Sequence, residues 1–316
     1  MNTPTFTFID LFAGIGGFRL ALNRLGGECL HFSEIHNDAI NTYCNHFKEE
    51  SSLNLGDITK VKSLPPHDIL TAGVPCQSWS IAGKNLGFDD DRGQLWNDTL
   101  YLLNQSRPKA FIFENVKGLA DPRNQGALSY ILARIRQAGY FAKHFVLNSS
   151  DYGVPQDRVK VYIVGFLHEA YLQHFRLPAP QKITMKLADV LQSDVGKSST
   201  PDIDTITDLF GNPVADKRRY RKLNGMNDFF LFNDIRNGPT TIHSWDGIEG
   251  INRIFLPRSE ACLIQGFPPD FQLPESRSRW MKLVGNSVSV PVIQMLGQAI
   301  MDTGCLEGVV PCKVAA

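Results

Sequence analysis

Cys76 lies in Gly73-Val74-Pro75-Cys76-Gln77-Ser78-Trp79-Ser80, directly after the apolar run Asp68-Ile69-Leu70-Thr71-Ala72. Proline cannot donate to a strand ladder and glycine adopts backbone angles that other residues avoid, so Gly73 and Pro75 should end a strand and present the thiol at its carboxyl edge. In an open parallel sheet that edge is where ligands bind, and a thiolate there is a nucleophile. A lone cysteine is as readily a small buried hydrophobe, and this stretch alone leaves both readings open. Glu114 closes a second apolar run, Ala110-Phe111-Ile112-Phe113. The simplest doubly wound order makes the two strands neighbours, so carboxyl and thiol can face one cleft. Beside a nucleophile, a carboxyl group can share a proton with substrate; its bland alternative is to cap a helix.

A third chemical feature stands near the N-terminus. Phe6-Thr7-Phe8-Ile9-Asp10-Leu11 has the character of a buried strand and runs into Phe12-Ala13-Gly14-Ile15-Gly16-Gly17, after which a helix is expected from Phe18 to about Leu25. Gly26 and Gly27 suit its C-cap, and Cys29 to Ser33 reads as the next strand, ending in Glu34. Glu34 follows Gly14 by twenty positions, about where a βαβ nucleotide-binding unit carries the carboxylate that holds ribose hydroxyls. Arg19 stands where the dinucleotide fingerprint needs its third glycine, which disfavours a pyrophosphate cofactor and fits a nucleoside. The bland alternative is a tight turn followed by a solvated strand end. Gly56-Asp57-Ile58 repeats the pattern after a second helical stretch, which makes Asp68 to Ala72 the fourth strand; Asp57 alone carries little weight.

These features need a sizeable scaffold, and 316 residues supply one, with one large domain and a smaller one expected. Hydrophobic residues at 43% and charged residues at 20% exclude a disordered chain. No apolar run approaches the roughly 18 to 20 residues of a membrane span and no signal peptide is evident, so a cytoplasmic protein without a membrane partner is expected. Lys plus Arg and Asp plus Glu number 32 each, so a polyanion would be held by a local patch and not by the overall field. The six cysteines show neither Cys-x-x-Cys nor zinc spacing, which speaks against disulfides and metal.

The elements follow in order. Ile81 to Gln94, rich in Gly, Asp and Asn, reads as a loop, either a solvated turn or a lid, and Trp96 to Asn104 has helical spacing. Tyr140 to Leu147 and Val159 to Phe166 are expected to pair as an antiparallel hairpin at one sheet edge. From about Asp189 turn signals dominate up to Gly250, which suggests a catalytic and cofactor-binding domain over 1–188, a second domain over 189–280 and a returning C-terminal segment over 281–316. Within the second domain Lys217-Arg218-Arg219-Tyr220-Arg221-Lys222 is either a solvated face or a set of phosphate contacts. His243 has no acid partner at motif spacing. Pro257-Arg258-Ser259-Glu260 resembles a helix start, with the end near Gln265-Gly266, and a last helix should begin after Gly285-Asn286-Ser287-Val288.

Taken in order, these stretches resemble the cytosine-C5 DNA methyltransferases of the bacterial restriction-modification type, over nearly the whole chain. Phe8 to Phe18 is similar to the family's S-adenosylmethionine motif, Gly73 to Ser78 to its Pro-Cys-Gln motif and Glu114-Asn115-Val116 to its Glu-Asn-Val motif. Gln156-Asp157-Arg158, Arg258 to Pro268 and Gly285 to Val288 resemble the later motifs. The resemblance implies an α/β fold, a Rossmann-like S-adenosylmethionine-dependent methyltransferase sheet with a smaller, mostly irregular or β target-recognition domain. It implies S-adenosyl-L-methionine near Phe12, Gly14, Gly16, Glu34, Ile35, Asp57, Ile58, Pro75, Leu95 and Asn286, with Glu34 on the ribose and Asp57 on the adenine amine. Cys76, Glu114, Arg158 and Lys160 become the catalytic set. Gln77, Ser80, Ala82, Lys84, Arg92, Lys217, Arg218, Arg219, Arg221, Thr241, Ile242 and Arg258 become the set facing double-stranded DNA. A monomer is expected of an asymmetric target reader, and the resemblance makes a companion restriction endonuclease possible as a functional, not physical, partner.

Two positions depart from the family pattern. Lys160 stands where Gln-x-Arg-x-Arg would place a second arginine, and replaces a planar fork by a point charge expected to hold the cytosine O2 less rigidly. Ile35 stands where many members have tryptophan against the adenine. The chemistry implied is addition of the Cys76 thiolate to C6 of a flipped-out cytosine, with Arg158 as the cation favouring the thiolate and Glu114 stabilising charge at N3. The rival readings are a tRNA cytosine-C5 methyltransferase of the same fold and a non-catalytic DNA- or nucleoside-binding module.

Overall fold

The computed structural model describes residues 4–75, 91–154, 156–180, 231–234, 238–242, 254–255 and 258–308, with the backbone alone for 91–93, 157, 231–234, 238–242, 254–255 and 277. The strands β1 (Phe6–Leu11), β2 (Gly27–Ser33), β3 (Ile69–Gly73), β4 (Ala110–Val116), β5 (Phe141–Asn148) and β7 (Val159–Phe166) form one sheet in the order β2-β1-β3-β4-β7-β5. The pairs β1–β2, β1–β3 and β3–β4 are parallel, while β7 runs antiparallel to both β4 and β5. The expected hairpin therefore sits at the sheet edge, although β5 is largely exposed where an apolar strand was read.

Strand periodicity assigns every side chain a face. Phe6 and Phe8, Ile69, Ala110 and Ile112, and Tyr162 and Val164 join one buried cluster; Ile9 and Leu11, Leu70 and Ala72, Phe111 and Phe113, and Val161 and Ile163 join another. Helix α1 (Gly17–Asn23) covers the first face, together with α6 (Arg258–Gln265), α7 (Arg277–Asn286) and α8 (Val290–Met301). Helices α3 (Asp91–Ser106) and α4 (Gln125–Gln137) cover the second through Trp96, Leu100, Leu103, Leu128 and Ile131. Helix α2 (Asn37–Phe47) follows β2, and α5 (Glu169–His174) follows β7.

Ser278–Met301 contains an 18-residue window long and apolar enough to cross a membrane by length and composition, a property not anticipated from the sequence. It comprises α7 and α8 with a break between them, and 67% of its apolar window is buried. Such burial is what the core helices of a globular domain show.

Three further expectations are corrected. Asp68 to Ala72 belongs to the third strand along the chain, because the segment before Asp57 makes an isolated bridge, Asn54 to Phe32, in place of a strand. The stretch read as a loop up to Gln94 is already helical from Asp91. Gly26 and Gly27 are not the C-cap of α1, which is Arg24: Gly26, at φ +86°, makes the turn and Gly27 opens β2, whereas the last helix begins just after Val288 as expected, at Val290.

A second sheet has the order β10-β9-β8-β6, from β6 (Gln156–Asp157), β8 (Leu231–Asp234), β9 (Gly238–Ile242) and β10 (Ile254–Phe255). It joins the turn-rich region to the main domain through the parallel pair β6–β8. Ala261, Cys262, Ile264, Phe267, Phe271 and Trp280, which turn-rich texture assigned to the second domain, pack in the same cluster as Phe8 and Phe18.

Candidate active site

Strand β1 leaves the sheet through Phe12, whose φ of +53° lies in the left-handed region that a phenylalanine adopts at a cost. The turn continues through Gly14, φ +56°, and Gly16, φ +87°. A side chain on Gly16 would collide with the Phe47 ring, whereas Gly14 faces open space and is required by its backbone angle alone. Over this turn stands Glu34. Its carboxylate accepts from the backbone N–H groups of Gly14 at 2.9 Å and of Ile35 and His36 at 2.8 Å each. A carboxylate offers about four lone-pair directions, so three donors leave one for a ligand hydroxyl.

Asn54 fixes the carboxylate's backbone: its Nδ2 donates to Glu34 O at 3.0 Å, and its Oδ1 accepts from the N–H groups of Glu34 and Gly56, also at 3.0 Å. Ser33 Oγ donates to Gly56 O at 2.6 Å. One asparagine thus brings the Glu34 and Asp57 segments together, and the sequence reading missed it. Asp57 caps the short 3-10 turn Ile58–Lys60, accepting from Thr59 N at 3.0 Å and Thr59 Oγ1 at 2.8 Å, and these bonds hold its carboxyl below the usual range. Ile58 is buried in the second cluster, so its backbone, not its side chain, is what a ligand could meet. Ile35 is 72% exposed, a large apolar side chain left in solvent beside Glu34.

The C-terminal segment closes the same region. Arg279 forms a bidentate ion pair with Asp38, with Nε to Oδ2 at 2.7 Å, and Lys282 Nζ lies 3.5 Å from His36 Nε2, so α7 is fastened to the start of α2. Asn286, the last residue of α7, is exposed. Ser287 and Val288 then press on the glycine turn: a Cβ on Gly17 would stand 2.8 Å from Ser287 Oγ and 2.7 Å from Val288 Cγ2. Pro75 and Leu95 are half-buried, the latter on α3 against the second cluster.

Beneath the turn, Asp10 is fully buried on the α1 face of β1 and accepts from Thr71 Oγ1 at 2.8 Å. Burial pushes its carboxyl up to about 7 against the opposing pull of Thr71 and of Arg19, with Glu34 adding to the rise. It was not singled out in the sequence; a charged residue inside an otherwise apolar strand was the available signal.

The carboxyl expected to be reactive lies two strands away. Glu114, 6% exposed, pairs across the ladder with Gly73 on β3 and with Tyr162 on β7. Lys160, diagonal to it on the same face, places Nζ 2.8 Å from Glu114 Oε1. Lys160 is therefore engaged by the carboxyl group. Asn115, also buried, donates from Nδ2 to Val74 O at 3.1 Å and accepts from Val116 N at 2.9 Å, tying the chain just before Cys76 to β4. Arg158, 2% exposed, donates from Nη2 to Gly285 O at 2.9 Å and Ser287 O at 2.6 Å. Its expected partner Cys76 lies outside the described residues, as do Gln77, Ser80, Ala82, Lys84, Lys217, Arg218, Arg219 and Arg221.

Of the remaining positions expected to face DNA, Arg92 falls in α3, and Thr241 and Ile242 in β9, where Ile242 pairs with Leu231 and Ile254. Arg258 Nη1 donates to Leu273 O at 3.1 Å and Pro274 O at 3.2 Å, closing the connection between α6 and α7.

A glycine turn under a strand-end carboxylate, on a sheet whose last pair is an antiparallel hairpin, defines an α/β fold of the methyltransferase class. A DNMT2 structure from Spodoptera frugiperda shares it with a TM-score of 0.68, covering 93% of this chain and 99% of that one at 19% identity. The profile of the C-5 cytosine-specific DNA methylase family matches residues 6–256 and 252–302. The type II methyltransferase M.HgiBI of Herpetosiphon aurantiacus is 48% identical over 96% of this chain and 98% of its own length. M.HpaII of Haemophilus parainfluenzae is 38% identical over 94% and 89%. The chain belongs to the C-5 cytosine-specific DNA methylase family and is a DNA (cytosine-5-)-methyltransferase.

Proposed function

We propose that this enzyme methylates C5 of one cytosine within a specific duplex sequence, drawing the methyl group from S-adenosyl-L-methionine, and that it protects host DNA from a companion endonuclease. The observation that carries the reading is the Glu114 cluster: a buried carboxyl paired with Lys160, beside an asparagine that ties down the chain two residues before Cys76. Cys76 would add as thiolate to C6, forming the S–C6 bond and moving the ring electrons toward N3 and O2, where Glu114 supplies or shares a proton and Lys160 supplies positive charge. The addition leaves C5 as the nucleophilic carbon; once C5 has taken the methyl group, a base removes its proton and the S–C6 bond breaks with its electron pair returning to the Cys76 thiolate, which restores the aromatic ring. The cytosine must leave the helix stack to be reached, at a cost of a few kcal/mol.

The cofactor fits the residues present. Glu34 retains acceptor capacity for one ribose hydroxyl, exposed Ile35 offers an apolar face for an adenine, and Gly14 opens onto free space. Phe12, Gly16, Asp57, the Ile58 backbone, Pro75, Leu95 and Asn286 would complete the cradle. When bound, the sulfonium supplies an electrophilic methyl for C5. The second sheet, with the basic run Lys217 to Lys222, would read the duplex as a domain running from about 189 to just before Arg258, and the enzyme would act as a cytoplasmic monomer.

The RNA reading is less favoured, because the relatives at 38% and 48% identity are type II methyltransferases whereas the DNMT2 likeness, at 19%, concerns the fold. Bisulfite sequencing of DNA from cells expressing this chain should show one sequence context methylated, and 5-fluorocytosine duplex should trap a covalent adduct that Cys76→Ala cannot form. Uniformly unmodified DNA with methylated tRNA would reverse the choice of substrate.

A further inference from the structure

A run of buried polar contacts serves no step of the chemistry above. Gln156, fully buried in β6, donates from Nε2 to Gln265 Oε1 at 3.0 Å. Gln265, fully buried at the end of α6, donates from its own Nε2 to Ser287 O at 2.9 Å and Val288 O at 3.1 Å. Carbonyl oxygens only accept, so Gln265 has one amide orientation, which leaves its oxygen toward Gln156 and fixes that amide in turn. One end of the run is the second sheet, through the pairing of Gln156 with Leu231 on β8. The other end is the glycine turn, because Ser287 and Val288 are the residues in close approach to Gly17. Arg158, two residues from Gln156, braces the same segment through Gly285 and Ser287.

We propose that Gln265 is a positioning residue that links the second sheet to the cofactor turn. Pairing of β8 on β6 sets Gln156, Gln156 sets Gln265, and Gln265 holds Ser287 and Val288 against Gly17. Duplex DNA engaged by the second sheet and a nucleoside cofactor on the turn therefore favour each other, and the linkage is reciprocal. Buried apolar side chains of the same size would stabilise this junction without fixing its register; directional amides make the position of one sheet legible to the other. The inference rests on the proposed assignments of cofactor to the glycine turn and of DNA to the second sheet.

The test is calorimetric titration of S-adenosylhomocysteine into the full chain, with and without a duplex carrying the target found by bisulfite sequencing. In the wild type the duplex should tighten binding at least about fivefold. Gln265→Met should bring that ratio close to one. Gln156→Met, which keeps both bonds from Gln265 to the C-terminal segment, should do the same. A merely structural role would lower stability and leave the ratio intact, which overturns the proposal, as does a wild-type ratio of one. Absence of any S-adenosylhomocysteine binding by the wild type would instead overturn the cofactor assignment and the link with it. Should both variants fail to fold, amide exchange of residues 285–290 in the wild type decides: slowing on addition of the duplex supports the link and unchanged exchange overturns it.

Discussion

Lys160 Nζ and Glu114 Oε1 stand 2.8 Å apart, with side-chain exposures of 13% and 8%. The register of β4 on β7 makes this pair, since Lys160 opposes Val116 and so lies diagonal to Glu114 on one face. An ion pair so far out of water loses much when one partner goes, because the other is left as a buried charge.

Lys160→Met should therefore destabilise the protein by about 3 to 5 kcal/mol and slow methyl transfer at least about a hundredfold. Lys160→Arg keeps the charge, restores the planar fork and should stay within about threefold of wild-type turnover. Glu114→Gln should cost roughly 10²- to 10⁴-fold in kcat, since an amide cannot supply the proton. Single-turnover kinetics with urea melts separate the chemical effect from the stability effect. Equal turnover of the Met and Arg variants would show that the charge at 160 is irrelevant.

Asn115→Leu removes the bond to Val74 O and leaves a buried carbonyl without its donor, a loss of about 1 to 3 kcal/mol. The expected functional signature is a fall of about tenfold or more in covalent trapping on 5-fluorocytosine duplex, with S-adenosylhomocysteine affinity unchanged, because the Glu34 side of the site is untouched. A loss confined to cofactor affinity would contradict a role of Asn115 in positioning the chain before Cys76.

Much of this arrangement was legible in the sequence, and the parts that were not share a physical cause. The aromatic and β-branched character of Phe6 to Leu11 and the apolar run Ala110 to Phe113 placed two strands, and the spacing of Gly14 and Glu34 met in space as a hydrogen bond. Asn54 and Gln265 carry no periodicity, and their partners are fixed by tertiary approach: Gln156 and Gln265 are 109 positions apart. The left-handed Phe12 was equally hidden, because side-chain type argues against that conformation. The early start of α3 had a readable signal, the acidic run Asp89-Asp90-Asp91, which suits a helix N-terminus and was read as loop polarity.

Asp10 gives stability a pH dependence of known sign. Its folded-state value, raised to about 7 by burial, exceeds that of an unfolded aspartate near 3.8, so the native protein holds the proton where the unfolded chain has lost it. The contribution is complete below about pH 4 and is lost as pH rises through about 7, on the order of a few kcal/mol in all. Asp10→Asn cannot ionise, so the urea midpoint of the wild type relative to this variant should fall across that window. A difference that is flat with pH would mean that Asp10 titrates normally.

Gly17 and Gly14 separate steric from conformational demands on the glycine turn. At Gly17, which has ordinary helical geometry, a Cβ would stand 2.7 Å from Val288 Cγ2, so Gly17→Ala should cost about 1 to 3 kcal/mol by overpacking. A Cβ on Gly14 would meet no atom of the described residues within 4 Å beyond its chain neighbours, so Gly14→Ala carries only the strain of φ +56°, about 1 to 2 kcal/mol. Val288→Ala removes the clashing methyl and should recover part of the loss at Gly17 and none at Gly14, a difference read from thermal midpoints in a double-mutant cycle. Because Val288 follows the residues braced by Arg158, the same cycle repeated with S-adenosylhomocysteine tests whether closing pressure on the turn contributes to affinity: Gly17→Ala should weaken binding, and Val288→Ala in that background should restore it. Additive effects of the two substitutions would show that the C-terminal segment and the glycine turn do not press on one another.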